Sequence, residues 1–180
     1  TLGLKAMNLP TTIAGRPLDL PEYEDFWTAV EEMDVPVYIH PLEQPGRSYE
    51  KAFALPHTFG WPYETSLALA RLVFSGMMER HPHLKIVSHH LGGGMIPFFM
   101  DRLTESNDPT ASIGHAIIPL PKPLFEYFRL FYYDAAVGGS AAAIKCCHEV
   151  FGADQILFAT DAPHGPEQGL LRLAKYPSVI

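Results

Sequence analysis

Short, nearly continuous apolar runs alternate along the chain with longer stretches of mixed polarity. The first kind reads as strand and the second as helix. Strands are expected at Gly3 to Asn8, Val35 to His40, Leu84 to His89, Leu130 to Ala135 and Gln155 to Thr160. Val37-Tyr38-Ile39, Ile86-Val87 and Ile156-Leu157-Phe158-Ala159 are apolar at every position, as suits strands covered on both faces in a parallel sheet. Helices are expected at Pro21 to Met33, Tyr63 to Arg80, Gly94 to Glu105 and Ser140 to Phe151, with a shorter piece around Phe125 to Phe128. In the second of these, Leu67, Ala70, Phe74 and Met77 recur at spacings of three and four, a stripe expected to face the sheet. The fourth has Ser140 as an N-cap, Ile144, Cys147 and Phe151 along one side, and Gly152 where a left-handed residue ends a helix. The proline-rich run from Ile118 to Pro123 is expected to be a stiff connection.

Strand and helix in strict alternation select a doubly wound open sheet or a (β/α)8 barrel. Gly92-Gly93-Gly94 follows a strand but lacks the full G-x-G-x-x-G spacing and the acidic partner of a dinucleotide site. Four successive strands, by contrast, end in ionisable side chains: His40, His89-His90, Asp134 and Asp161. Barrel enzymes collect their catalytic groups on that C-terminal rim. The expected fold class is therefore α/β, a (β/α)8 TIM barrel, as one domain over residues 1–180 without a fixed-period repeat. Five strands cannot close an eight-stranded barrel. Thr1 is not a start methionine, so the chain is expected to be an incomplete barrel, truncated at its N-terminus and short of its C-terminus.

Composition narrows the function. With 47% hydrophobic and 18% charged residues, the 180-residue chain can bury one sizeable core. A formal charge of −7 and a sequence pI near 5.6 argue against nucleic acid or an acidic membrane as partner and favour a small molecule. Cys146 and Cys147 are neighbours and cannot staple distant segments, which points to a reducing, cytoplasmic setting. No apolar run approaches the roughly 20 residues of a membrane span, and a basic-then-apolar leader is not evident.

Each rim residue admits a chemical and a plainer role. His40, stopped by Pro41, is a candidate metal ligand or a histidine that caps the sheet by hydrogen bonding. Asp161 can bind a metal, move a proton, or cap a following helix. His89 and His90 would point to opposite faces of an extended segment, so at most one should look into the barrel mouth. The glycines that follow allow close backbone approach, and amides at the next helix start could receive an anionic group. His57, Trp61, Tyr63 and Glu64 lie in the segment after the second strand, where an aromatic ring can stack on a planar substrate or close the barrel edge. His164 could hold a substrate group or be an exposed loop histidine, and Asp134 reads as structural, with contact to substrate the alternative.

Tyr38-Ile39-His40-Pro41, the run His81-Pro82-His83-Leu84-Lys85-Ile86-Val87-Ser88-His89-His90-Leu91-Gly92-Gly93, and Phe158-Ala159-Thr160-Asp161-Ala162-Pro163 occur in an order that resembles the amidohydrolase-2 family of the amidohydrolase superfamily. That family includes the aminocarboxymuconate-semialdehyde and resorcylate-type decarboxylases. The resemblance implies the metal-dependent hydrolase type of barrel, with strands four to eight present. It makes His40 a metal ligand at the end of strand five, His90 the catalytic histidine of strand six with His89 the alternative, and Asp161 a metal contact and proton carrier of strand eight. His57, Trp61 and His164 become substrate-binding candidates. The family's first strand supplies a His-x-His pair. His81-Pro82-His83 has that spacing but precedes a strand, which places it on the opposite rim, a strand length of roughly 17–20 Å from the mouth.

The expected function is thus a metal-dependent decarboxylase of an aromatic or enol-type carboxylic acid, with zinc the first choice of metal and manganese or iron the alternatives. The expected assembly is a homodimer. The rivals are a metal-dependent hydrolase of a lactone or amide on the same scaffold, and a noncatalytic binding protein or inactive fragment.

Overall fold

The computed structural model describes residues 3–42, 53–90, 95–106, 119–136 and 140–161. Its first strand, β1 (Met7–Pro10), leads into a small antiparallel hairpin of β2 (Thr12–Ile13) and β3 (Arg16–Pro17). Ala14 and Gly15 join the two with φ of 50° and 75°, the doubly left-handed turn that matches the twist of a tight hairpin. A 3₁₀ turn (Pro21–Tyr23) then opens α1 (Glu24–Met33), which stops at Asp34 in the left-handed conformation. The indole N–H of Trp27, buried on α1, donates to the Leu18 carbonyl at 2.9 Å and pins that helix to the connection before it.

Next come β4 (Val37–His40), a π-helical turn (Pro56–Gly60), α2 (Trp61–Phe74), α3 (Met77–Arg80) and β5 (Ile86–Ser88). After these follow α4 (Met100–Ser106), α5 (Leu124–Phe128), β6 (Tyr132–Asp134), α6 (Ala141–Phe151) and β7 (Ile156–Leu157). The five longer-range strands form one parallel sheet in the order β1-β4-β5-β6-β7. Each strand adds beside its predecessor on the same edge. A doubly wound sheet reverses its order part-way; this one does not, which is barrel winding.

The paired rows Leu9–Ile39 and Ile39–Ser88–Tyr133 share one face, and that face packs on the helices. Ile39, Ile86 and Tyr133 join Trp27, Leu69, Leu72, Met77, Phe128 and Phe151 in the continuous core. Tyr38, Val87 and Tyr132 therefore lie on the other face, the barrel-interior side, and the next residues of the same rows lead to the sheet's C-terminal mouth.

Two helix expectations are corrected. The stripe Leu67, Ala70, Phe74, Met77 faces the core only in part: Met77 is buried in it and Ala70 and Phe74 pack against it, but Leu67 stays 41% exposed, and α2 buries Thr65, Ala68, Leu69, Leu72 and Val73. Leu67 and Ala70 instead line a cavity of about 280 Å³ shared with Met95, Ile96, Phe99 and Leu103. The most deeply covered face of α2 is centred one step round the cylinder from the stripe that periodicity marked. The same segment is also broken at Ser75-Gly76, where Gly76 adopts φ 73° between α2 and α3. The sixth helix follows its expected borders: the Ser140 hydroxyl accepts from the Ala143 amide, and Gly152 closes the helix at φ 92°. Cys146 and Cys147 are free thiols, and burial pushes the Cys147 thiol up to about 12, leaving it inert. Among the described residues no helix is long and apolar enough to cross a membrane.

Candidate active site

The register of the sheet assembles the site. Ile39 pairs with Ser88 and Ser88 with Tyr133, so the residues one step on, His40, His89 and Asp134, fall in one row at the mouth. Asp134 is itself paired with Leu157 of β7. Because Ile39 points into the helix layer, His40 points to the interior face by alternation.

His40 Nδ1 lies 2.7 Å from the Pro41 carbonyl. A carbonyl only accepts, so Nδ1 carries the proton and Nε2 the lone pair. Burial lowers the His40 pKa most, and the charges of His89 and His90 add to that, while the Pro41 carbonyl and Asp161 pull it back up. His40 is thereby kept as neutral imidazole, the form that binds metals.

His89 Nδ1 lies 2.8 Å from Asp134 Oδ2. Burial alone would raise the Asp134 pKa, but the hydrogen bond and charge of His89, the charge of His90 and the Ala136 amide together hold it below the ordinary value. The Asp134 carboxylate is ionised, and His89 donates to it. Oδ1 of the same carboxylate accepts from the backbone N–H of His90 at 2.8 Å and of Ala136 at 3.2 Å. His90 Nδ1 in turn lies 3.2 Å from the Ala136 carbonyl, and its Nε2 is buried without a hydrogen-bond partner.

The expectation that only one of the two adjacent histidines reaches the mouth is overturned. The His40 ring centroid is 5.3 Å from that of His89 and 5.6 Å from that of His90. Alternation governs side chains only inside a strand, and β5 ends at Ser88; His90 then turns left-handed, at φ 62°, which swings its ring to the same side. Asp161 also adopts a left-handed φ of 58°, is exposed, and carries its charge close enough to act on His40. Positions 40 and 161 thus share one mouth of the sheet. Left-handed non-glycine residues cost local energy and collect at working sites.

Trp61, at the start of α2, brings its indole to 5.7 Å from the His40 ring and stacks at 6.0 Å over His90. His57 packs on that indole at 3.8 Å, so one indole face is covered. The indole is a wall that fixes the histidines as much as a platform for substrate. His164 and Gly92 to Gly94 lie outside the described residues. His81 sits on the other rim, with Nε2 3.0 Å from Glu24 Oε1 and Nδ1 3.2 Å from Glu31 Oε2, and His83 donates its backbone N–H to Glu31. The His81-Pro82-His83 run is remote from the mouth, as its place before β5 requires. Asp134 was readable only as the acidic end of its strand; that it binds two successive histidines depends on the register between β5 and β6.

The amidohydrolase family profile matches residues 1–176. The chain belongs to the amidohydrolase family. It is 34% identical over 157 residues to gamma-resorcylate decarboxylase of Rhizobium sp. (strain MTP-10005), covering 81% of this chain and 45% of that protein. It is 29% identical over 163 residues to 2-amino-3-carboxymuconate-6-semialdehyde decarboxylase of Dictyostelium discoideum, covering 90% and 44%. Among solved structures, 5-carboxyvanillate decarboxylase of Novosphingobium aromaticivorans, a mutant with bound manganese and 3-methoxy-4-hydroxy-5-nitrobenzoic acid, superposes with a TM-score of 0.86 at 26% identity, over 96% of this chain and 51% of that one. The chain spans about half the length of the curated relatives it matches.

The donors at the mouth of this amidohydrolase chain suit a divalent ion. Three imidazoles hold their Nδ1 protons against oxygen acceptors, a carboxylate lies close by, and one Nε2 is buried with its lone pair unmatched. Among the described residues, no group of three His, Cys, Asp or Glu side chains is placed to hold an ion by itself. The described residues supply part of a ligand set.

Proposed function

We propose that the protein containing this chain is a divalent-metal-dependent decarboxylase of an aromatic or enol-type carboxylic acid. One observation carries the reading: His40, His89 and His90 converge at the sheet's C-terminal mouth with ring centroids 5.3 to 6.0 Å apart, within reach of the Asp161 charge. Support comes from relatives named for decarboxylation of such acids and from a similar structure that holds manganese.

His40 and Asp161 would hold the ion, which supplies a positive centre for the substrate's carboxylate or neighbouring oxygen. Zinc is the first choice by resemblance, and manganese in the similar structure makes it the main alternative. His90 Nε2, with its lone pair, is the atom that would take up a proton from solvent and deliver it to the carbon bearing the carboxylate. The carbon–carbon bond then breaks, its electron pair returns to the ring or enol, and carbon dioxide leaves. Asp161 serves as the second proton carrier. Trp61 and His57 wall the substrate against the histidines, and His164 is assigned to the substrate as well. A homodimer in the cytoplasm, acting on a small carboxylic acid rather than on nucleic acid or membrane, completes the reading.

The test is turnover of a panel of hydroxybenzoates and enol acids by the full-length protein, with released carbon dioxide and bound metal both measured. His90→Gln and Asp161→Asn should each lower kcat by about 10²- to 10⁴-fold. Full activity in both variants defeats the residue assignment. Ring opening with uptake of water and no carbon dioxide replaces the decarboxylase by a hydrolase of a lactone or amide. A metal-free, inactive parent supports a noncatalytic binding protein.

A further inference from the structure

The most heavily buried carboxylate at the mouth is Asp134, at 3% exposure, and the reaction proposed above gives it no step. Its hydrogen bonds nonetheless divide in a telling way. Oδ2 takes the His89 Nδ1–H at 2.8 Å, whereas Oδ1 takes the backbone N–H of His90 at 2.8 Å and of Ala136 at 3.2 Å. The Ala136 carbonyl, on the residue so held, is the group that receives His90 Nδ1 at 3.2 Å. One side chain thus fixes the tautomer of the first histidine and the backbone turn of the second, and also orders the carbonyl that fixes the second ring.

We propose that Asp134 is the positioning residue of this site, holding both His89 and His90 with Nδ1 protonated and Nε2 as the lone-pair nitrogen. Three observations join here. His89 shares a row with His40, so a fixed His89 ring is delivered beside the His40 ring, 5.3 Å away. His90 leaves the strand at φ 62°, a conformation that needs an outside hold on its amide, and Oδ1 supplies it. The Nε2 of His90 is buried without a partner, an arrangement that wastes a hydrogen bond unless that nitrogen meets a ligand. His89 is thereby a working member of the cluster, its Nε2 available to an ion or a proton, rather than a packing residue.

The inference rests on the proposed active site but can fail separately from it. An asparagine at position 134 separates the two tasks. Its amide oxygen can still accept from the His90 and Ala136 N–H groups, while its amide nitrogen donates and therefore turns the facing His89 Nδ1 into an acceptor. Full-length protein labelled with ¹⁵N-histidine, with His89 assigned through a His89→Gln spectrum, should show His89 as the Nδ1–H tautomer in the parent and as the Nε2–H tautomer in Asp134→Asn. Metal content or kcat should fall about 10- to 100-fold in that variant, with KM changed much less. Asp134→Ala, which removes both tasks, should also lose thermal stability. An unchanged His89 tautomer, or an Asp134→Asn variant with parental kcat and metal content, overturns the proposal. The tautomer spectrum needs no turnover, so a parent that releases no carbon dioxide defeats the proposed reaction while this test still returns its answer.

Discussion

The two rims of the sheet each carry a histidine–carboxylate cluster, and they are wired differently. On the N-terminal rim His81 is buried and spends both ring nitrogens on carboxylates, Glu24 at 3.0 Å and Glu31 at 3.2 Å, while Arg80 grips Glu24 from outside at 2.8 Å. With both ring nitrogens facing carboxylate oxygens, His81 has none left over for a ligand. At the C-terminal mouth, among the described residues, the hydrogen bonds of the three histidine rings run through Nδ1, and the Nε2 of His90 is buried without a partner. The residue types are the same, so it is the count of committed nitrogens that separates a clasp from a chemical site. Spacing in the sequence cannot supply that count: His81-x-His83 has the ligand-like spacing, yet the adjacent pair His89-His90 occupies the mouth.

The comparison breaks most sharply under crossed substitutions. His40→Ala removes a half-buried ring held through Nδ1 on the Pro41 carbonyl, and is expected to lower kcat/KM by at least about 10²-fold with the melting temperature nearly unchanged. His81→Ala should do the reverse. It removes the ring that bridges Glu24 and Glu31 and costs about 1–3 kcal/mol in unfolding free energy, toward the lower end because Glu24 keeps Arg80 and Glu31 keeps the His83 amide. Catalytic rate per folded molecule should hold. Urea titrations and steady-state kinetics on both variants check this, and activity lost in His81→Ala at parental stability would erase the distinction between the rims.

Most of what placed the mouth was legible in the sequence, and the reasons are local. Fully apolar runs such as Ile86-Val87 mark strands covered on both faces, and Pro41, Ser140 and Gly152 punctuate the elements beside them. The rim residues followed, since His40 and Asp134 end their strands. What stayed hidden depends on register and on single backbone angles. Strand β1 begins at Met7, later than the apolar run from Gly3 suggested, because its partner Val37 sets where pairing starts. The joint presence of His89 and His90 needed the left-handed turn at His90, which sequence alternation treats as extended. The hairpin around Ala14-Gly15 was missed because two-residue strands are too short to show a period.

Acid should sharpen the contrast more gently. The Arg80 hydrogen bond holds Glu24 below the usual carboxylate range; burial works against this, and the His81 hydrogen bond adds to it. A carboxylate whose folded pKa is depressed stabilises the fold fully above its unfolded value, here 4.5, and that stabilisation is lost as pH falls through the folded value. The N-terminal clasp should therefore loosen below pH 4.5. Arg80→Gln is expected to melt lower than the parent at pH 7 and to lose less of its melting temperature between pH 5 and pH 3, as measured by thermal melts across that range. Parallel melting curves for the two proteins would show that Glu24 is not the group that responds.

The smallest effect separates burial from mere proximity of charge. Lys85 and Asp34 approach to 2.6 Å beside the same rim, closer than either His81 contact, but their side chains are 45% and 71% exposed. Water screens such a pair and each side chain gives up rotamer freedom to form it, so its net contribution is about 0–1 kcal/mol. The short distance is thus a poor guide to strength. Lys85→Ala is expected to lower the unfolding free energy by less than about 1 kcal/mol, well short of His81→Ala, and most of that difference should vanish in high salt. If Lys85→Ala instead destabilised as much as His81→Ala in urea titrations at both salt levels, desolvation would not be what makes the clasp strong. Buried, doubly committed ring nitrogens would then not be what sets the N-terminal rim apart from the mouth in energy.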